Sequence, residues 1–246
     1  VSEAPNNSLV GTPPGALGDV RAVRDLAPSA VGERWLALDD ARHTSHVLHV
    51  IRGDEATLSR VEGVLARLRS ATDPHVLRVE ELVRRDGSLV VRTEYPGHSD
   101  GVITLDALLA VKGNVLSAPE AARGVRHLLD ALLHAHRLGV VNGGLDVTQC
   151  LVDRHGRVVV ELAGVRAARG GDGVGEGELK REEVRSLGTL AHRMFTGVLP
   201  GETRRWGTRV EPAWERWLTR AIAPMDGYID VESAARDYPS VPVRAE

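Results

Sequence analysis

His43, His46 and His49 recur at a spacing of three and invite a metal site. They fall in a β-like stretch, where alternate side chains leave on opposite faces, so His43 and His49 share a face and His46 takes the other. Zinc needs ligands that converge on one point, so these read as structural or solvent-facing histidines. His127 and His134, two turns apart on one helix face, read the same way. The stretch Gly170-Gly171-Asp172-Gly173-Val174-Gly175-Glu176-Gly177 has the glycine content of a phosphate loop. It lacks the lysine and the strand–turn–helix setting such a loop requires, and reads as a flexible linker. Trp206, Trp214 and Trp217 crowd one short region. Trp214 and Trp217 share a helical face and read first as core, but tryptophan concentrates at interface hot spots. Trp206 and Trp214 are therefore candidate partner-binding residues. Cys150 sits in an apolar strand and reads as an inert core thiol.

Bulk properties exclude several classes. With 246 residues, 42% hydrophobic and 26% charged, the chain can bury a sizeable core. A formal net charge of -3 gives no electrostatic case for a nucleic-acid partner or an anionic membrane. A single cysteine allows no intrachain disulfide, so a reducing compartment, the cytoplasm, is expected. No apolar run is long enough to cross a bilayer, so no membrane insertion is expected, and the N-terminus lacks a charged-then-apolar signal pattern. The chain opens on Val1; a GTG start codon read literally or a domain excerpt would each account for that.

The elements that must position any site follow from periodicity. Residues 1–18, rich in Ser, Asn, Pro and Gly, read as a disordered lead-in. Trp35 to Leu38 and Val47 to Ile51 read as strands. Leu58, Val61, Leu65 and Leu68 form a stripe that predicts a helix over Glu55 to Ser70. Val76 to Val83 and Ser88 to Tyr95 predict a hairpin around Asp86-Gly87. Beyond Tyr95 the texture turns helical. Ser117-Ala118-Pro119-Glu120 fits a capping box, opening a helix with Ala121, Val125, Leu128, Leu129, Leu132 and Leu133 on one face. Gln149 to Val152 and Arg157 to Leu162 pair as a second hairpin. Val184 to Phe195 and Pro212 to Ile222 predict two further helices.

The segment Leu138-Gly139-Val140-Val141-Asn142-Gly143-Gly144-Leu145-Asp146-Val147-Thr148-Gln149-Cys150-Leu151-Val152-Asp153 resembles the catalytic loop of protein kinases, G-[IV]-[IV]-H-R-D-L-K-P-x-N-[IV]-L-[IV]-[DN]. The apolar frame agrees position by position. Asn142 stands for the His, Gly143 for the Arg, Gly144 for the catalytic Asp, Asp146 for the Lys and Gln149 for the metal-binding Asn. Asp25 to Gly32 is similar to the opening strand and glycine-rich loop, with only Gly32 of three glycines kept and Pro28 removing a donor. His49 takes the place of the phosphate-binding Lys, Val61 that of its Glu partner, with Glu62 one residue off. Leu162-Ala163-Gly164 stands for D-F-G. Val165 to Glu178 replaces the activation segment, has no Ser, Thr or Tyr, and is expected to be a flexible tether. Glu182 to Leu190 and Met194 to Pro200 resemble the D-[IV]-x-[SA]-L-G helix and T-G-x-x-P ending, with Glu183 where an Asp anchors the catalytic loop.

The resemblance, closest to bacterial Ser/Thr kinase-like proteins, implies an α+β, bilobal protein-kinase-like fold. A small antiparallel-sheet lobe with one main helix spans 19–95, and a larger, mostly helical lobe spans 96–240. It further implies a pseudokinase: His49, Val61, Asn142, Gly144, Gln149 and Leu162 are degenerate positions, and no cofactor or metal is expected. Glu94 and Tyr95 are the hinge residues that could still hold a ring. A regulatory or scaffolding role with a protein partner follows, a forkhead-associated domain reading a phosphorylated Thr148 being one version. The alternatives are rewired nucleotide chemistry using Asp146 and Glu161, or a metal-free ligand pocket bounded by Glu94-Tyr95-Pro96. Asp146 itself reads as a turn cap.

Overall fold

In the computed structural model the described residues are 14, 17–85, 87–97, 101–171, 173–203 and 210–239. β1 (Val20–Ser29), β2 (Gly32–Asp39), β3 (Thr44–Arg52), β4 (Val79–Arg85) and β5 (Ser88–Glu94) form one antiparallel sheet in the order β1-β2-β3-β5-β4. Alternation divides it. Leu48 and Val50 of β3 turn outward to pack with Leu17, Val20, Trp35, Ala37 and Val90. Ile51 turns inward, with Leu89 and Val91, into the core shared with the helices. α1 (Glu55–Leu68) covers that inner face through Leu58, Val61, Leu65 and Leu68, and Asp54 caps it by accepting from the Thr57 N–H at 2.7 Å.

The second lobe holds β6 (Ile103–Thr104), α2 (Leu105–Val111), α3 (Ala118–Arg137), β7 (Cys150–Val152), β8 (Val158–Val160), α4 (Val165–Gly170), α5 (Glu176–Thr196), α6 (Pro212–Ile222) and α7 (Val231–Arg236). β6, β7 and β8 make a small sheet. α3 opens as its sequence predicts: the Glu120 carboxylate accepts from the Ser117 N–H at 3.0 Å and Oγ at 2.7 Å. The Ser117 hydroxyl first, then Lys112, hold that carboxyl down to about 2. The bilobal α+β arrangement of a kinase domain is present, small sheet lobe first and helical lobe second.

Five expectations are corrected. Leu17 does not belong to a disordered lead-in: it bridges to Val20 and is 2% exposed, an anchor for the outer core. Residues 165–178 are not a tether throughout, because α4 occupies Val165–Gly170 and α5 begins at Glu176. The helix predicted from Val184 therefore starts two turns earlier; its polar first turns hid it from an apolar-stripe reading. The fourth strand begins at Val79, while Val76 makes only a single bridge to Val160. Trp214 is core rather than docking surface, 2% exposed and packed between Phe195 (ring centroids 4.6 Å) and Tyr238 (5.1 Å). Trp206 and Asp86 lie outside the described residues.

Candidate functional site

The interlobe cleft is built around one ion pair. Arg34 on β2 is in phase with Leu36 and Leu38, so its side chain turns inward from the sheet. Its Nη2 lies 2.7 Å from Glu161 Oε1 and its Nε 2.9 Å from Oε2, a two-pronged contact with the residue that follows β8. Nη1 donates to the Ala27 carbonyl at 3.1 Å, and Nη2 also donates to the Thr148 carbonyl. Side-chain exposure is 1% for Arg34 and 0% for Glu161. Burial pushes the Glu161 carboxyl above its ordinary range while Arg34 pulls it down. Every guanidinium nitrogen is thus spent on bridging β1, β2 and the large lobe, which satisfies a charge that burial would otherwise penalise.

His49 completes this cluster. It shares the inward face of β3 with Val47 and Ile51, donates or accepts at Nε2 with Thr93 Oγ1 at 3.0 Å, and places Nδ1 3.9 Å from Glu161. Burial, then the charge of Arg34, lower its pKa to about 3, so it stands neutral. Val61 is core and Glu62 pairs outward with Arg84 at 3.0 Å, so α1 presents no carboxylate to the cleft. His46 faces Glu80 instead, at 2.8 Å, as the alternation required. His127 and His134 accept from the backbone N–H groups of Val158 and Thr72.

The β1–β2 turn lies down on the large lobe. The Ala30 N–H donates to Thr148 Oγ1 at 3.1 Å, and Arg169 Nη1 donates to the Val31 carbonyl at 3.2 Å. Gly32 has a packing reason: a Cβ there would stand 2.7 Å from the Val50 carbonyl oxygen.

Residues 142–149 are tied internally. Asn142 Oδ1 accepts from the Gly164 N–H at 2.8 Å and from Gln149 Nε2 at 3.2 Å. Gln149 Nε2 also donates to the Glu161 carbonyl at 2.8 Å, while its Oε1 is buried without a partner. Glu183, fully buried on α5, accepts from the Asn142 N–H at 2.8 Å and contacts His136 Nε2 at 2.5 Å, the anchoring expected of it. Asp146 Oδ1 accepts from the Thr148 N–H at 2.8 Å and from its hydroxyl at 2.5 Å, which makes Asp146 the turn cap that its sequence suggested. Thr148 is half-buried with its hydroxyl already shared between Asp146 and Ala30. Leu162 is fully buried in a left-handed conformation, φ 43°.

The side chains gathered here do not fit a magnesium nucleotide. Magnesium takes hard oxygen ligands in near-octahedral geometry, Leu162 offers none, and the Glu161 carboxylate is spent on Arg34. His49 brings no positive charge to a phosphate. Beside the hinge, Glu94, Tyr95 and Pro96 line a cavity of about 200 Å³ with Pro74, Leu77 and the β7–β8 turn residues Asp153, Arg154, His155 and Arg157. That is below the 300–1,000 Å³ usual for a small-molecule site.

Sequence reasoning missed Arg34, although a signal was present: a lone charge in phase with inward-facing apolar residues of a strand. Its partner Glu161 was noted only as an acid near the cleft.

Comparison with known proteins agrees with this architecture. The chain superposes on the kinase domain of Mycobacterium tuberculosis PknI with a TM-score of 0.68 at 20% identity, over 92% of this chain and 98% of that one. A second structure of the same domain gives 0.67 at 21% identity, over 91% and 96%. Among curated proteins, the carbon catabolite-derepressing protein kinases of Candida glabrata and Saccharomyces cerevisiae are 23% identical over 143 residues and 22% over 162. Those alignments take in 56% and 61% of this chain and only 22% and 24% of the length of the two proteins. No protein-family model matches the chain. Fold and comparisons together define a bilobal domain with the protein-kinase fold. Its structural neighbours are bacterial Ser/Thr kinase domains.

Proposed function

We propose that this kinase-fold domain is catalytically inactive and acts as a protein-binding regulatory or scaffolding module, with weak or no binding of Mg-ATP. The observation that carries the reading is the buried Arg34–Glu161 pair, 2.7 Å apart inside the cleft between the lobes. Phosphoryl transfer depends on positioning and charge neutralisation. The side chains at the working positions, His49, Gly144, Gln149 and Leu162, supply neither a phosphate-binding cation, nor a base, nor a pair of metal ligands. Rewired nucleotide chemistry has less support, since it needs free acids and both Asp146 and Glu161 are engaged.

The test is thermal unfolding of the domain with and without ATP plus Mg²⁺ or Mn²⁺, beside an assay for transfer of labelled phosphate. Unchanged melting and no transfer are expected. A rise of several degrees with nucleotide and metal, or transfer that depends on the cleft residues, overturns the reading.

A further inference from the structure

A second cavity, on the far side of α1 from the sheet, carries an excess of positive charge. About 540 Å³ in volume, it is walled by Arg60 and Arg67 of α1, His136 and Gly139 at the end of α3, Ala167 and Ala168 of α4, and Glu176, Leu179 and Lys180 of α5. Arg60 and Arg67 are seven residues apart, two turns of one helix, and so share a face.

Both guanidinium groups are held in place without being neutralised. Arg60 Nε donates to the Ala168 carbonyl at 3.0 Å and Nη2 to Thr57 Oγ1 at 3.2 Å. Arg67 Nη1 donates to the Gly139 carbonyl at 2.5 Å. All three acceptors are neutral, and no carboxylate among the described residues pairs with either arginine. Among the described residues Lys180 is the one cation on this wall with an acid of its own outside the core, Glu176 at 2.6 Å. His136 leans on the buried Glu183. Counting the described side chains on the wall, Arg60, Arg67 and Lys180 oppose Glu176, an excess of two positive charges. α5, 21 residues long, begins on this wall with Gly175 as its N-cap, which has no side chain to cap the first turn.

We infer that this cavity binds a phosphate-monoester dianion. Its charge, between about −1.5 and −2 at neutral pH, matches the excess on the wall. Guanidinium forks whose remaining N–H groups are free are suited to phosphate oxygens. Preorganisation by carbonyls lowers the ordering cost of binding. The wall residues between 167 and 180 (Ala167, Ala168, Gly171, Val174, Glu176, Leu179 and Lys180) include no hydroxyl side chain, so this part of the wall cannot supply the phosphate itself. The two sources that fit are a phosphorylated side chain of a partner and a free phosphate compound. The site lies outside the Arg34–Glu161 cluster, so it stands or falls independently of the cleft being inert.

The experiment is an NMR titration of the ¹⁵N-labelled full chain with inorganic phosphate, with N-acetyl-phosphothreonine methylamide, and with the unphosphorylated counterpart, at about 0.1 M salt where surface attraction is damped. Saturable shifts at the amides of Gly139, Ala168, Glu176 and Gly177 are expected from the phosphorylated probes alone. The double variant R60Q/R67Q is expected to weaken binding by about tenfold or more, and R69Q, an exposed arginine of the same helix end that does not line the cavity, to leave it unchanged. Should the double variant fail to fold, K180Q carries the same test and is expected to weaken binding severalfold. Tighter binding of the phosphothreonine probe than of inorganic phosphate assigns a phosphorylated side chain; equal binding assigns a free phosphate compound. Non-saturating shifts, equal response to the unphosphorylated probe, or binding unchanged in the folded variants overturns the inference.

Discussion

Arg34 and Glu161 meet across the two lobes with their charged atoms 2.7 Å apart and both side chains withdrawn from solvent. One end is carried by the second strand of the sheet and the other by the residue after β8, so the contact fixes how the lobes sit. Because Arg34 also binds the carbonyls of Ala27 and Thr148, the β1–β2 turn and residues 142–149 are drawn to the same point. The pair occupies the cleft and ties the lobes at once.

Arg34→Ala should be strongly destabilising, since it strands a carboxylate in a dry site. Breaking a buried pair from one side costs about 3–5 kcal/mol. The double change Arg34→Met with Glu161→Leu, which fills the volume and leaves no charge, should cost far less. Urea unfolding of the single and double variants measures the difference. A single-variant loss below about 1 kcal/mol would show that water already reaches the pair.

Much of this fold was legible in the sequence because its elements are periodic or punctuated. The stripe Leu58, Val61, Leu65, Leu68 and the Ser117–Glu120 signature each map onto observed helices. The apolar frame of 138–153 placed the loop, and Glu183 anchors it as expected. What was hidden depends on long-range partners. The phase of Arg34 turns it inward, but what neutralises it there is Glu161, 127 residues later, which only the fold brings to it. Trp214 could serve a core or an interface equally well until Phe195 and Tyr238 close around it. The first turns of α5, with Gly177 and a run of charges, carry no apolar stripe, and the start shows only in the backbone, where the Glu178 and Leu179 N–H groups donate to the Gly175 carbonyl.

His49 should make the domain acid-sensitive well above the carboxylate range. Its folded pKa of about 3 lies below the ordinary 6.5. Above pH 6.5 neither state binds the proton. As the pH falls, the unfolded chain takes it up first, so stability is lost. Between pH 7 and 5.5 this amounts to about 1 kcal/mol. Arg34, Glu161 and Thr93 face position 49 in the wild type and in His49→Gln alike, so the comparison isolates the imidazole. Chemical unfolding of both proteins at the two pH values tests the point; equal pH slopes would mean that His49 takes up its proton alike in the folded and unfolded states.

Glu183→Ala removes the acceptor for both the Asn142 N–H and His136 from a fully buried position. Each donor left without a partner costs about 1–3 kcal/mol. The loss should concentrate in residues 142–149, which Glu183 holds from below. Hydrogen exchange should therefore speed at Asn142 and its neighbours far more than in β2 or β3. Glu183→Gln, which keeps one acceptor oxygen, should fall between the two. Uniformly faster exchange throughout the large lobe would argue that Glu183 supports the whole α5 packing rather than this loop.

Placing an acid at 144 should not produce phosphate transfer. Gly144 adopts φ 135° and Gly143 φ 71°, with a Cβ at the latter only 2.9 Å from Leu179 Cδ2. Aspartate at 144 must take up a backbone conformation that costs a side-chain-bearing residue about 1–3 kcal/mol. It would also face a cleft in which Arg34 and Glu161 are locked together, His49 is uncharged and Leu162 cannot hold a metal. Groups that act as one constellation do not contribute singly. Gly144→Asp is therefore expected to melt lower than the wild type and to transfer no labelled phosphate from ATP to itself or to a generic acceptor. Phosphate transfer appearing in Gly144→Asp and absent from Gly144→Asn would mean that the cleft opens to nucleotide in solution, with Arg34 and Glu161 parting to admit it.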